Sequence, residues 1–212
     1  LEEIMTHING LKKLATVATL ALAASFAQAS SVNLVVNGSF EAPVLPNTPS
    51  WQILDGIPGW TASSAGVEIR RQDTGLAQDG MQFAELDTTQ NSWIKQVVDT
   101  VVGQEYTLSF WYSPRINRPN PEDNRIDAFV NGGLVASLAG TTGNLHNWQQ
   151  TLFTFIADST STTLKFAAAG PSNSFGGSLD NVSLTATPLP GAALLFATAL
   201  AGFFGFSNRR KV

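Results

Sequence analysis

The chain has 212 residues, with 12 Lys and Arg against 16 Asp and Glu, a net charge of −4, and no cysteine. That length suits one ordinary domain with short appendages, and the lack of thiols excludes disulfides, zinc–thiolate and iron–sulfur sites and cysteine nucleophiles. The acidic balance argues against nucleic acid as a partner, because such binding begins with cations that neutralise phosphates.

Near the start, Lys12 and Lys13 precede an apolar stretch from Leu14 to Phe26 that closes on Ala27-Gln28-Ala29. A basic n-region, an apolar h-region and an A-x-A site together predict a secretory signal peptide over residues 1–29. The apolar residues cover every face of this stretch, so an amphipathic core helix does not fit. Residues 30–187 then carry 14 acidic and 7 basic side chains, a balance of −7.

Between Ser30 and Thr187 the sequence shows short runs of Val, Ile, Phe, Thr and Trp bounded by Gly, Pro, Asn and Asp, the pattern of antiparallel strands. Strands are predicted at 33–36, 67–70, 82–86, 93–98, 104–112, 126–130, 134–138, 152–156, 163–168 and 179–185. In 104–112, QEYTLSFWY, the residues Tyr106, Leu108, Phe110 and Tyr112 share one face, and Thr107, Ser109 and Trp111 share the other. About ten strands in one domain predict an all-β, two-sheet antiparallel sandwich of jelly-roll type. The Asn-Gly-Gly at 131–133 signals a tight hairpin. The long irregular piece SPRINRPNPEDNR at 113–125 is of the length that is usually functional or mobile.

At the other end, Gly191 to Phe206 contains no charged residue, and Arg209, Arg210 and Lys211 follow. The span sits at the lower limit for crossing about 30 Å of hydrocarbon. The positive-inside rule leaves the domain before it outside the cytoplasm. One transmembrane helix is therefore expected within 188–212.

Several stretches carry a family resemblance. NLVVNGSFE at 33–41, IPGW at 57–60, DGMQFAELD at 79–87, GQEYTLSFWYSPR at 103–115 and LDNVSLT at 179–185 resemble galactose-binding-like jelly rolls, which occur in carbohydrate-binding modules and in a plant cell-wall family of uncharacterised domains. The tail, with Pro188-Leu189-Pro190 before the apolar span and basic cluster, resembles the PEP-CTERM sorting signal of Gram-negative bacteria, with leucine where the namesake has glutamate. The first resemblance implies binding of extracellular polysaccharide. The second implies an exosortase-type sorting enzyme as partner, a transient anchor in the inner membrane and delivery to the envelope, the outer surface or an extracellular matrix. In the carbohydrate-binding modules, the residues that match Glu41 and Asp180 hold a structural calcium with backbone carbonyls. Calcium's preference for six to eight mixed oxygens is compatible with that pair. The alternative places both in turns or at the surface.

Sugar binding needs an aromatic platform and planar hydrogen-bonding side chains. The pieces available are Trp60, Glu68, Arg70, Asp79, Trp93, Trp111, Arg115, Asn124 and Trp148. Trp111 either lines a groove or fills the second side of its sheet. Arg115 either pairs with Glu85 or Asp87 or serves a ligand. Glu68 and Arg70, two apart on a strand, favour an ion pair over a groove wall.

No catalytic residues are predicted. His146 in NLHNW is the one histidine of 30–187, read as a solvated loop residue, and no G-x-S-x-G elbow accompanies it. The carboxylates Glu41, Glu68, Glu85, Asp79 and Asp127 are the candidates for glycoside hydrolysis. The sequence thus reads as a non-catalytic polysaccharide binder. The alternatives are a structural matrix protein that binds no sugar and a carbohydrate-active hydrolase.

Overall fold

The computed structural model describes residues 32–187 except 49, 73 and 74. The predicted signal peptide, the Pro-Leu-Pro motif and the apolar span lie outside the described residues. Among those described, no helix is long and apolar enough to cross a membrane.

Twelve strands are described: β1 (Trp51–Leu54), β2 (Gly56–Ile57), β3 (Trp60–Ala62), β4 (Val67–Arg70), β5 (Phe83–Glu85), β6 (Trp93–Asp99), β7 (Glu105–Ser113), β8 (Ile126–Val130), β9 (Gly133–Leu138), β10 (Gln149–Ile156), β11 (Ser161–Ala168) and β12 (Ser178–Ala186). They form two six-stranded antiparallel sheets. Sheet A runs β1-β4-β5-β12-β7-β10, and sheet B runs β2-β3-β6-β11-β8-β9. This is the expected two-sheet sandwich, consistent with a jelly roll.

Side-chain alternation decides what each sheet contributes. On β7, Tyr106, Leu108, Phe110 and Tyr112 are all buried, whereas Thr107, Ser109 and Trp111 are only half-buried on the opposite face. Cross-strand neighbours share a face, so Tyr112 continues into Leu179, then Ala84, then Ile69, all of them core residues. Sheet B answers with Ile94, Leu164, Phe166, Ile126 and Ala128. Phe110 and Phe166 meet edge-on at 4.9 Å across the interface between the sheets. A Phe→Ala change at such a site costs about 3–5 kcal/mol.

Two expectations are corrected. The run 33–36 is not a strand: only Asn33 bridges, to Thr185. Its side chain accepts the N–H groups of Val35 and Leu184, and the chain turns at Asn37, with φ of 55°. Strands β1 to β3 were not foreseen. The irregular stretch 113–125 contains a 3-10 turn at Pro121–Asn124 and is tied down at Asn124, whose carbonyl accepts the Tyr112 hydroxyl at 3.0 Å and whose Oδ1 accepts the Arg115 N–H at 2.8 Å.

Candidate functional site

The residues that alternate with the core positions of sheet A define its outer face. Across one row run Glu68, Glu85, Ser178 and Ser113. In the next, Asp180 lies opposite Trp111, which lies opposite Gln150. An outer face is normally wet, yet Glu68 is 5% exposed, Arg70 6% and Glu85 0%.

Charge pairing makes that burial tolerable. Arg70 pairs with Glu68 through Nη2 and with Glu85 Oε2 through Nε, at 2.8 Å for the latter. Arg115, arriving from the loop after β7, pairs with Glu85 Oε1. Glu85 also accepts the Gly176 N–H at 3.2 Å. Burial raises the Glu85 pKa to about 7, with Arg70 and Arg115 opposing the rise and Glu68 adding to it. Of the two readings for each, Arg115 takes the pairing with Glu85, and Glu68 and Arg70 take the ion pair.

Beside this cluster the face turns aromatic. Phe83 pairs with Arg70 across β4 and β5, is fully buried and lies outside the inter-sheet core. His146 packs on Phe83 at 4.9 Å and on Trp148 at 5.0 Å, both edge-on. The Trp148 Nε1–H donates to the Leu76 carbonyl at 3.0 Å, and His146 Nδ1 reaches the same oxygen at 3.0 Å. Burial lowers the His146 pKa, and the nearby Arg70 and Arg115 lower it further. The shift favours the neutral ring against the opposing Leu76 hydrogen bond, and because that carbonyl can only accept, the proton sits on Nδ1. Nε2 is left as a buried acceptor with no protein donor among the described residues. The expectation of a solvated loop histidine is corrected accordingly.

Above these rings opens a cavity of about 420 Å³, lined by Leu76, Ala77, Gln78, Trp111, Leu145, His146 and Trp148. Its rim segment is held by the two acids expected to bind calcium. Asp180 Oδ2 accepts the N–H groups of Gln78 and Asp79 at 2.8 and 3.0 Å, and Oδ1 accepts that of Asn181 at 2.7 Å. Glu41 Oε1 accepts those of Met81 and Gln82, each at 2.7 Å. Asp180 is fully buried, and desolvation lifts its pKa to about 7 against these N–H donors. Gly80 has φ of +68°, and a Cβ there would lie 2.5 Å from Glu41 Oε1, so any other residue is strained and displaces that carboxylate. Among the described residues, no group of three or more His, Cys, Asp or Glu gathers in a way that could hold a metal.

The structure thus brings Trp111 and Trp148 to the cavity, with Glu68, Arg70 and Arg115 beside it. Asp79 is exposed on the rim, where it accepts the Ser39 hydroxyl at 2.6 Å. Asn124 is buried as the anchor of the 113–125 loop. Trp60 belongs to the core: it is 4% exposed between Phe40 and Phe166, with Nε1 bonded to the Asn37 carbonyl, and it has no free ring face for a sugar. Trp93 lies on the outer face of sheet B. Leu76, Gln78, Leu145 and His146 are lining residues without a sequence signal, because loop positions carry no periodicity. Asn37-Gly38-Ser39 and Asn181-Val182-Ser183 match the glycosylation triplet, and both amides are occupied: Asn37 Nδ2 donates to the Ala42 carbonyl and Asn181 Nδ2 to Gln78 Oε1.

A family model described as a protein of unknown function, DUF642, matches residues 33–185. The chain belongs to the DUF642 family. Halomucin of Haloquadratum walsbyi (strain DSM 16790 / HBSQ001) is 32% identical over 171 residues, covering 76% of this chain and 2% of halomucin. This DUF642 chain therefore spans only a small fraction of that relative. Among solved structures, TmCBM61 in complex with β-1,4-galactotriose is similar with a TM-score of 0.51 and 17% identity, covering 74% of this chain and 100% of that one. A family 16 carbohydrate-binding module has a TM-score of 0.47 and 20% identity, covering 72% and 99%. At 17% identity the likeness to TmCBM61 shows the fold alone, so this DUF642 domain shares the jelly-roll architecture of that structure.

Proposed function

We propose that the domain binds an extracellular polysaccharide without catalysis, at the cavity on the outer face of sheet A. The observation that carries this reading is the grouping of Trp111, Trp148, His146 and Gln78 around one cavity of about 420 Å³. That size falls within the roughly 300–1,000 Å³ of small-ligand sites. The indole rings offer apolar surface to a pyranose face, and Gln78 offers polar atoms to its hydroxyls. Support also comes from the fold shared with TmCBM61, whose structure holds β-1,4-galactotriose.

The hydrolase reading finds little support, since no carboxylate lines the cavity among the described residues. Glu68 and Glu85 are tied to arginines, Glu41 to backbone N–H groups and Asp127 to Ser137 and Arg125 on sheet B. The proposal includes export through the predicted signal peptide, transient anchoring through the PEP-CTERM-like tail, an exosortase-type partner and residence at the cell surface or in a matrix. It also retains a structural calcium beside Glu41 and Asp180. Such an ion has to share their oxygens with the N–H donors already there, and it would act by raising stability. A calcium-dependent rise in melting temperature that EDTA reverses supports it, and coincident melts with and without calcium remove it.

The test of binding is a glycan array probed with the full-length chain, followed by titration of the retained glycan against Trp111→Ala. Retention of a glycan, with at least tenfold weaker binding by the variant, is expected. No retained glycan, or equal binding by the variant, sinks the proposal in favour of a structural matrix role.

A further inference from the structure

The outer face of sheet B carries a second cluster, remote in strand order from the cavity. Lys95 on β6 and Lys165 on β11 stand directly opposite each other in the antiparallel register. Like charges in that position repel. Both ammonium groups nevertheless converge on one indole: Lys95 Nζ lies 5.5 Å and Lys165 Nζ 5.4 Å from the Trp93 ring centroid, and Lys165 Nζ is also 5.3 Å from the ring of Phe129 on β8. Trp93 and Phe129 are half-buried in the sheet surface, and Lys95 is exposed.

Neither lysine has a carboxylate partner among the described residues. The acids nearest in register are engaged or peripheral. Asp127 bonds to the Ser137 hydroxyl at 2.6 Å and pairs with Arg125, and Asp99 sits at the end of β6 opposite Ser161. Two of the seven basic residues in a span carrying 14 acids are thus placed side by side against aromatic rings, with no carboxylate paired to them among the described residues. Ion-pairing needs inside the domain do not account for such an arrangement. An anion supplied from outside does.

We propose that this face is a second binding site, for an acidic polysaccharide whose carboxylate or sulfate groups pair with Lys95 and Lys165 while a sugar ring packs against Trp93. The ring favours a pyranose over a bare ion, because an indole offers apolar surface to the C–H face of a sugar and electrostatic hold to a cation beside it. Thr61, directly across from Lys95, and Thr163, two residues before Lys165, add hydroxyls along the same face. This site does not depend on the cavity of sheet A, and the two are separable by the charge of the glycan.

The test is affinity electrophoresis of the full-length chain through gels containing polygalacturonate, its methyl ester or neutral galactan, at about 50 and 300 mM salt. Retardation by polygalacturonate that weakens in high salt and disappears on methyl esterification is expected. The double variant Lys95→Gln/Lys165→Gln should lose at least tenfold in affinity, and Trp93→Ala a similar factor, while Trp111→Ala keeps it. Because the glutamines relieve a repulsion, the double variant should melt no lower than the parent, which separates lost binding from lost folding. Polygalacturonate binding that ignores the lysine changes, no retardation by polygalacturonate, or capture by phosphatidylserine vesicles but not by polyuronate would each overturn the proposal. Failure of galactan alone to bind counts against the cavity and leaves this site standing.

Discussion

Glu68 and Glu85 stand directly opposite each other across β4 and β5, a cross-strand pair of buried carboxylates. Arg70 reaches both, and Arg115 holds the second from the far side. Removing one partner of a buried ion pair leaves an uncompensated charge, at a cost of about 3–5 kcal/mol. Arg70→Met should therefore destabilise the domain by about that amount in urea unfolding. A loss below about 1 kcal/mol would show that water enters the cluster freely.

Stability should fall as the pH rises from about 4 to 7. Glu85 and Asp180 both have folded pKa values lifted to about 7 by burial, from ordinary values of 4.5 and 3.8. Between those limits the folded state holds more protons than the unfolded chain, so each unit of pH weakens folding, and the loss is complete above about 7. His146, with its pKa lowered, acts in the opposite sense: folding gains as the pH rises toward 6.5, but one ring opposes two acids. Urea midpoints measured from pH 5 to 7.5 should decline, and Glu85→Gln or Asp180→Asn should each flatten part of the slope. A midpoint that climbs steadily over this range contradicts the assignment.

The two cavity tryptophans should separate binding from stability. Trp111 is half-buried on the outer face, so Trp111→Ala should cost under about 1.5 kcal/mol while weakening glycan binding at the cavity at least tenfold. Trp148 holds the Leu76 carbonyl and packs 5.9 Å from Phe83, so Trp148→Ala should cost about 2–4 kcal/mol as well as binding. Melting curves read beside calorimetric titrations distinguish the two.

Gly80→Ala tests whether the rim must be held. The new methyl group meets the Glu41 carboxylate in a backbone conformation that alanine disfavours. Met81 and Gln82 should lose their anchor at about 1–3 kcal/mol, with faster amide exchange at both. Unchanged exchange there would show that Glu41 is not what fixes the segment.

Strand β7 was legible in the sequence because its alternation is strict and one of its faces is entirely apolar. Strands β4, β6, β8 and β11 were legible for the related reason that they are rich in β-branched and aromatic residues. β1 was not: Trp51 and Ile53 are 44% and 38% exposed, so WQIL carries no polar-out signature. VEIR shows a subtler limit. Alternation correctly put Glu68 and Arg70 opposite Val67 and Ile69, yet it could not reveal that the outer side is covered too. Of the site, Trp111, Arg115 and Trp148 could be named in advance because their side chains advertise their chemistry. Leu76, Gln78 and His146 become neighbours only through contacts some 70 residues apart.

Strand β12, the last described, occupies an interior place in sheet A between β5 and β7, and its Asp180 carries the rim of the cavity. Half of that sheet therefore has nothing to zip onto until residue 186 has been synthesised. A nascent chain therefore holds this sheet in two parts until β12 has emerged from the ribosome, and its insertion between β5 and β7 completes the sheet and shapes the cavity together.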